Sequence, residues 1–126
     1  MMREMILIFV GGGLGSVIRF SVSKWIGSLH NQNFPYGTLL VNVIACFLLG
    51  FLIGLADQKQ IISPQVRLFW TVGFCGGFST FSTFSSETLS LLQSGLHAST
   101  LLYIIGSLVI CLLATYGGLY MGESIN

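Results

Sequence analysis

Charge is what this sequence has least of. Only 7% of its 126 residues are Asp, Glu, Lys or Arg, five basic and four acidic, for a formal net charge of +1. A soluble domain carries about 25% charged residues, so this chain cannot cover a water-facing surface. The near balance of signs excludes the basic footprint of a nucleic-acid-binding protein. It also leaves no polybasic patch for anionic lipid. Proline occurs twice, each time between long apolar runs, and cysteine is limited to Cys46, Cys75 and Cys111. The three cysteines lie inside apolar stretches at spacings that fit no metal motif, and they read as free thiols packed among helices. Catalytic groups are missing too. His30 and His97 stand at loop edges without a Cys or carboxylate partner nearby, and Glu87 is the one carboxylate away from the ends of the apolar runs. The GGGLG run beginning at Gly11 lacks the strand–turn–helix context of a phosphate loop. Neither an enzyme nor an organic cofactor is expected.

What the chain has in quantity is apolar surface: 53% hydrophobic residues and a mean hydropathy of +0.86. This composition indicates an all-α integral membrane protein. The start, MMREMILIFVGGGLGSVIRF, mimics a signal peptide, but no A-x-A-like cleavage site follows and the apolar run continues past Arg19. It reads as a retained first span. A span needs about 20 mostly apolar residues, and four segments qualify: Met5 to Leu29, Tyr36 to Ala56, Val66 to Leu92 and Ser99 to Met121. Pro35 and Pro64 are placed to start helices, and Gly95 to cap one. The short connections leave room for one domain, residues 1–126, with helices running alternately up and down.

Orientation is weakly specified. Arg3, Lys59 and Arg67 fall on the side of the termini, and Lys24, with Arg19 if it snorkels, on the other. So small a bias under the positive-inside rule suits either dual insertion or cytoplasmic termini. Four helices enclose no lumen, so transport implies an oligomer. If both orientations occur, an antiparallel two-fold dimer is the natural closed assembly.

Polar residues at membrane depth are the functional candidates. In the first span, Gly11 with Gly15 and Gly12 with Ser16 allow close helix approach. Arg19 either snorkels or lines an aqueous vestibule, where it would attract anions. In the second span, Thr38, Asn42, Cys46, Gly50 and Gly54 recur every four residues along one stripe. Asn42 must satisfy its amide in hydrocarbon, by a helix–helix hydrogen bond or as a donor to a permeating ion. Tyr103, Ser107, Cys111 and Thr115 form a similar track in the fourth span. The third contains GFCGGFSTFSTFSSE, Gly73 to Glu87. At about 100° per residue, Phe78, Phe81 and Phe84 share one side, with Ser79, Thr83, Ser86 and Ser90 opposite. Gly73, Gly76 and Gly77 weaken the helix just before, and carbonyls freed at a break can ligate a cation. No ring of Asp or Glu argues for a cation pore. Hydroxyl and amide protons can replace water around an anion, and phenylalanine edges carry positive quadrupole density.

These residues carry a family resemblance. GGFSTFSTFSSE strongly resembles the signature of the Fluc (CrcB-like) fluoride channels. GTLLVNVIACFLLGFL resembles the family's G-T-x-x-x-N second span, and GGGLGSVIRF its first, with Ser16 where Ala is usual. The match covers all four spans in order. The resemblance implies four transmembrane helices with a break in the third, assembled as an antiparallel, dual-topology homodimer with two pores. It implies passive export of fluoride that entered a bacterial cell as neutral HF, across the cytoplasmic (inner) membrane. Fluoride, the lipid bilayer and a second copy are the implied partners, with no nucleic acid. Carried over, Phe81 and Phe84 would be the pore-lining rings, with Asn42 the donor beside them. Tyr103, Ser107 and Thr38 would supply hydroxyls, with Thr83 also counted in the pore. Cys111 stands where a further hydroxyl would suit. Arg19 would sit near a vestibule. A structural Na+ at the dimer centre would rest on the carbonyls of Gly76 and Ser79.

Two rivals fit less well. A four-span multidrug exporter needs a membrane-embedded carboxylate in its first span, where this chain has only Glu4 at the start. A non-transporting, holin-like assembly explains the small-residue seams but not the ladder of phenylalanines and hydroxyls with Asn42.

Overall fold

The apolar runs fold as helices in the computed structural model, which describes residues 1–59 and 62–125; the side chains of residues 57–59 are outside that description. In chain order the elements are α1 (Met2–Ser28), α2 (Tyr36–Lys59), α3 (Pro64–Leu68), a π-helical segment (Phe69–Cys75), α4 (Gly76–Phe78), α5 (Phe81–Gln93) and α6 (His97–Ile125). The expected single unit of residues 1–126 thus includes Gln60, Ile61 and Asn126, which lie outside the described residues, as does the Lys59 side chain counted in the charge bias.

The punctuation acts as its chemistry suggests. Pro35 immediately precedes α2, and its carbonyl accepts the Leu39 N–H at 3.2 Å. Pro64 opens α3, while the Ser63 hydroxyl accepts the Val66 N–H at 3.2 Å. Beyond α5, Gly95 takes φ 78°, a conformation that costs glycine little. Its N–H bonds the Leu92 carbonyl at 3.1 Å and the Leu96 N–H bonds Leu91 at 3.0 Å, the paired bonds of a Schellman cap.

Among the described residues, three helices are long and apolar enough to cross a membrane: Met2–Ser28, Tyr36–Ala56 and His97–Ile125. The chain is a multi-pass membrane protein. The third span, 66–92, is interrupted as expected, and takes the form of the bent series α3, π segment, α4 and α5.

Glycines set the packing. A Cβ on Gly50 would strike the Thr115 carbonyl oxygen, and one on Gly118 the Phe47 carbonyl oxygen. Gly54 approaches Leu119 and Gly122 approaches Phe51 in the same way. Residue numbers rise together on both sides of this seam, so α2 and α6 run parallel with their backbones in contact, as small-x-x-x-small packing permits. On the other side, Gly15 of α1 faces Phe74 and Phe78, and Gly77 faces Gly12, so α1 runs parallel to the bent series. Val41 and Ala45 of α2 and Phe78 form the small core between them, with Val22 and Phe74 packed against it.

Because backbone atoms cannot yield, Gly118→Val should cost about 3 kcal/mol or more, the upper range for overpacking. Gly117 faces open space, so Gly117→Ala should not lower the unfolding midpoint. Thermal unfolding in detergent checks both, and equal midpoints for the two variants would remove the seam argument.

Candidate functional site

The decisive local event is the break at Ser79 and Thr80. Ser79 has φ −82° and ψ 159°, and Thr80 has φ −153° and ψ 122°. Two extended residues destroy the rotational register of the helix. The expectation that Phe78, Phe81 and Phe84 share one side is therefore wrong. Phe78, before the break, is 4% exposed and stacks on Phe74, with centroids 5.4 Å apart and planes at 18°. Phe81 and Phe84, after it, pair separately at 5.5 Å. Ser79 is likewise uncoupled from Thr83, Ser86 and Ser90. The glycines before the break do not unwind; they lie within the π-helical segment and α4.

Asn42 holds the break open. Its Nδ2 donates to the Thr80 carbonyl at 3.1 Å, and its Oδ1 accepts the Thr80 N–H at 2.8 Å. One side chain thus satisfies both backbone groups of an extended residue at membrane depth, where unpaired groups cost several kcal/mol each. Thr80 also caps α5, its hydroxyl accepting the Thr83 N–H at 3.1 Å. The second Nδ2 proton of Asn42 is available beyond the bracket.

Arg19 serves the other end of the break. Its Nε donates to the Gly77 carbonyl at 3.0 Å, joined by the Ser16 hydroxyl at 3.4 Å. The side chain therefore anchors a carbonyl of the interrupted helix. Arg19→Leu should lose about 1.5–3 kcal/mol, the worth of a hydrogen bond to a charged group. A variant melting at the wild-type temperature would show that the bond contributes nothing.

Beyond the break, α2, α5 and α6 border an open cavity of about 290 Å³ whose walls include Asn42, Phe81, Phe84, Ser107 and Cys111. Ser107 Oγ is buried with no hydrogen-bond partner. A second cavity of about 360 Å³, at the end formed by the α1–α2 connection, is lined by Thr38, Glu87 and His30 among others. Tyr103 stands between the two. It is fully buried, its ring packs on Phe84 at 4.9 Å, and its hydroxyl donates to Glu87 Oε1 at 3.2 Å. Thr38 lies against this pair. The structure thus brings Asn42, Phe81, Phe84 and Ser107 to one cavity, with Tyr103 packed on Phe84 and Thr38 beside Tyr103 and Glu87. Thr83 lines neither cavity and contributes its backbone amide to the α5 cap. Glu87 and His30 share a cavity although they are far apart in sequence, a proximity invisible to local spacing.

The same break bears on a cation. In a continuous helix the Thr80 and Thr83 amides would bond the carbonyls of Gly76 and Ser79. Here the first donates to Asn42 and the second to the Thr80 hydroxyl. Those two carbonyls lose their helical donors, and Gly76 is exposed on the single chain. Neutral oxygens of this kind suit a hard monovalent cation.

Comparison with known proteins decides the kinship. A family profile described as "CrcB-like protein, Camphor Resistance (CrcB)" matches residues 6–119. The chain belongs to this family. A relative from Phocaeicola vulgatus, named "Fluoride-specific ion channel FluC", is 46% identical over 122 residues, covering 97% of this chain and 100% of the relative. Relatives of the same name from Agrobacterium fabrum and Bacteroides fragilis are 40% identical over 124 residues and 42% over 128. They cover 98% and 99% of this chain, and 99% and 100% of themselves. These relatives are named as channels, and this chain, as one of the family, is not an enzyme.

Sequence reasoning missed two features. The π-helical segment at Phe69–Cys75 carries no local signal beyond Gly73. The continuation of the α6 stripe into Gly118 and Gly122 was legible as a second small-x-x-x-small pair and went unused.

Proposed function

We propose that this protein is a passive, fluoride-selective channel that lets fluoride leave the cytoplasm and so lowers its toxicity. The observation that carries this reading is the convergence of Phe81, Phe84, Asn42 and Ser107 on one cavity, in a chain whose close relatives are named fluoride-specific channels. Phenylalanine edges, an amide proton and an unpartnered hydroxyl can replace water around a small anion without a full positive charge that would trap it. Arg19, held on the Gly77 carbonyl, would lend positive potential near the entry. Neutral HF crosses lipid and dissociates inside; the anion then leaves down its own gradient.

The working unit is an antiparallel homodimer with two pores in the bacterial cytoplasmic membrane. Two features support it. Phe81 is 75% exposed on the single chain, so a closed pathway needs a second surface. The face of α5 bearing Ser82, Ser85, Ser86 and Ser90 is exposed as well, and hydroxyls in hydrocarbon call for a protein or water neighbour. The parallel course of α2 and α6 supports four spans, because the chain must recross the membrane between them through the bent series. The small excess of Lys and Arg on the side of the termini, three against one or two, supports insertion both ways.

Efflux from liposomes carrying the purified protein tests the function. Fluoride should leave with negligible chloride efflux; equal leakage of both ions, or of neither, would exclude this reading. A structural Na+ on the Gly76 and Ser79 carbonyls, completed by the second copy, would neutralise oxygen dipoles that meet at the dimer centre. Exchanging sodium for a large organic cation should then lower the dimer fraction, and an unchanged fraction counts against the site.

A further inference from the structure

The polar track of α6 is interrupted by sulfur. Cys111 is four residues after Ser107, and Cys46 is four residues after Asn42, so each thiol stands one helical turn, about 5.4 Å, beyond a residue of the anion path. The helix seam sets the two opposite each other. Gly50 meets Thr115 and Gly54 meets Leu119 with backbones in contact; Cys46 and Cys111 occupy the same register one turn earlier. Both are half-exposed free cysteines, and both line the cavity that holds Phe81 and Phe84.

We propose that Cys46 and Cys111 form a two-thiol site for a soft divalent cation, and that its occupation blocks the anion path. Soft thiolate ligands select soft metals. No group of three or more His, Cys, Asp or Glu is placed to hold a metal among the described residues. This disfavours zinc, which takes four ligands, and favours an ion content with two sulfurs in line. Two thiols each release one proton to water as two metal–sulfur bonds form, and the metal keeps its oxidation state. A divalent ion with two thiolates is neutral, which suits a site of low dielectric. The metal would cross the seam between α2 and α6 one turn beyond Ser107, narrowing the cavity that holds the phenylalanine rings. The binding half of this proposal stands on the thiols alone; the blocking half rests on the channel reading above.

Mercuric ion is the probe. Full-length protein in detergent should take up one mercuric ion per chain, with the ultraviolet absorption of a mercury bis-thiolate. In liposomes, fluoride efflux should fall by about tenfold or more, as expected for a cation bridging the wall of a narrow path, and return when a small dithiol removes the metal. Cys46→Ala, Cys111→Ala and the milder Cys111→Ser should each lose the bis-thiolate absorption and the block, every variant being compared with its own efflux before metal. Cys75 also lies beside Cys46, on a separate cavity of about 140 Å³, and Cys75→Ala should keep both effects. Absorption that survives Cys111→Ser, or vanishes in Cys75→Ala, overturns the assigned pair. Binding by the correct pair with undiminished efflux overturns the block. A wild type that conducts no fluoride before metal is added defeats the channel reading, and the absorption still decides the site.

Discussion

Asn42→Leu should reduce fluoride efflux by more than about tenfold while leaving the chain inserted in the membrane. The residue makes two hydrogen bonds to Thr80, one to its carbonyl at 3.1 Å and one from its N–H at 2.8 Å. Leucine keeps the volume and removes both partners. Each buried backbone group left unpaired costs about 1–3 kcal/mol, so the broken geometry is disfavoured by about 2–6 kcal/mol in all. A penalty of 1–2 kcal/mol already changes a population about 5- to 30-fold. The chain can recover by closing the helix through Ser79 and Thr80. That would swing Phe81 and Phe84 out of the cavity and return the Gly76 and Ser79 carbonyls to helical donors. Efflux from liposomes with matched protein content measures the outcome, and hydrogen exchange at the break would report the closure. Wild-type efflux in Asn42→Leu would mean that the bracket is dispensable.

The second large effect concerns the rings. Phe84→Ile should lower fluoride efflux by about tenfold or more, equivalent to at least about 1.4 kcal/mol, with dimers still formed. Phe84 touches both Phe81, at 5.5 Å, and Tyr103, at 4.9 Å, so it ties the ring pair to the buried tyrosine. Isoleucine fills similar space but has no ring edge to offer an anion. Phe81→Ile should act in the same direction. Phe74→Ile is the control for general loosening: Phe74 stacks on Phe78 away from the path, and its replacement should lower the unfolding temperature more than the efflux. Normal flux in both Phe81→Ile and Phe84→Ile defeats the ring-edge account. Equal losses in all three would assign the effect to packing.

Much of the site was legible because its residues sit at regular intervals within single helices. Thr38, Asn42 and Cys46 follow one stripe by spacing alone, as do Tyr103, Ser107 and Cys111, and the structure brings both stripes to one seam. Pro64 and Gly95 act locally and were read locally. Arg19 and Asn42 each had two open readings, and their observed partners are backbone groups of the break. No spacing rule could find Gly77 and Thr80 as those partners, since they are 58 and 38 residues away.

Taken alone, the sequence determined membrane residence, the apolar helices, their punctuation and the absence of catalytic groups. Composition and periodicity act within about 20 residues, the length of a span, and these features are of that range. Only the tertiary structure decided where the bent series breaks and which phenylalanines belong together. A helix continues or stops at Ser79 according to whether another segment satisfies the backbone groups it frees, and here that segment is Asn42 on α2. Once the register is broken, Phe78 goes to the core and Phe81 and Phe84 to the cavity beside Asn42. The periodicity that placed all three on one side holds only within an unbroken helix.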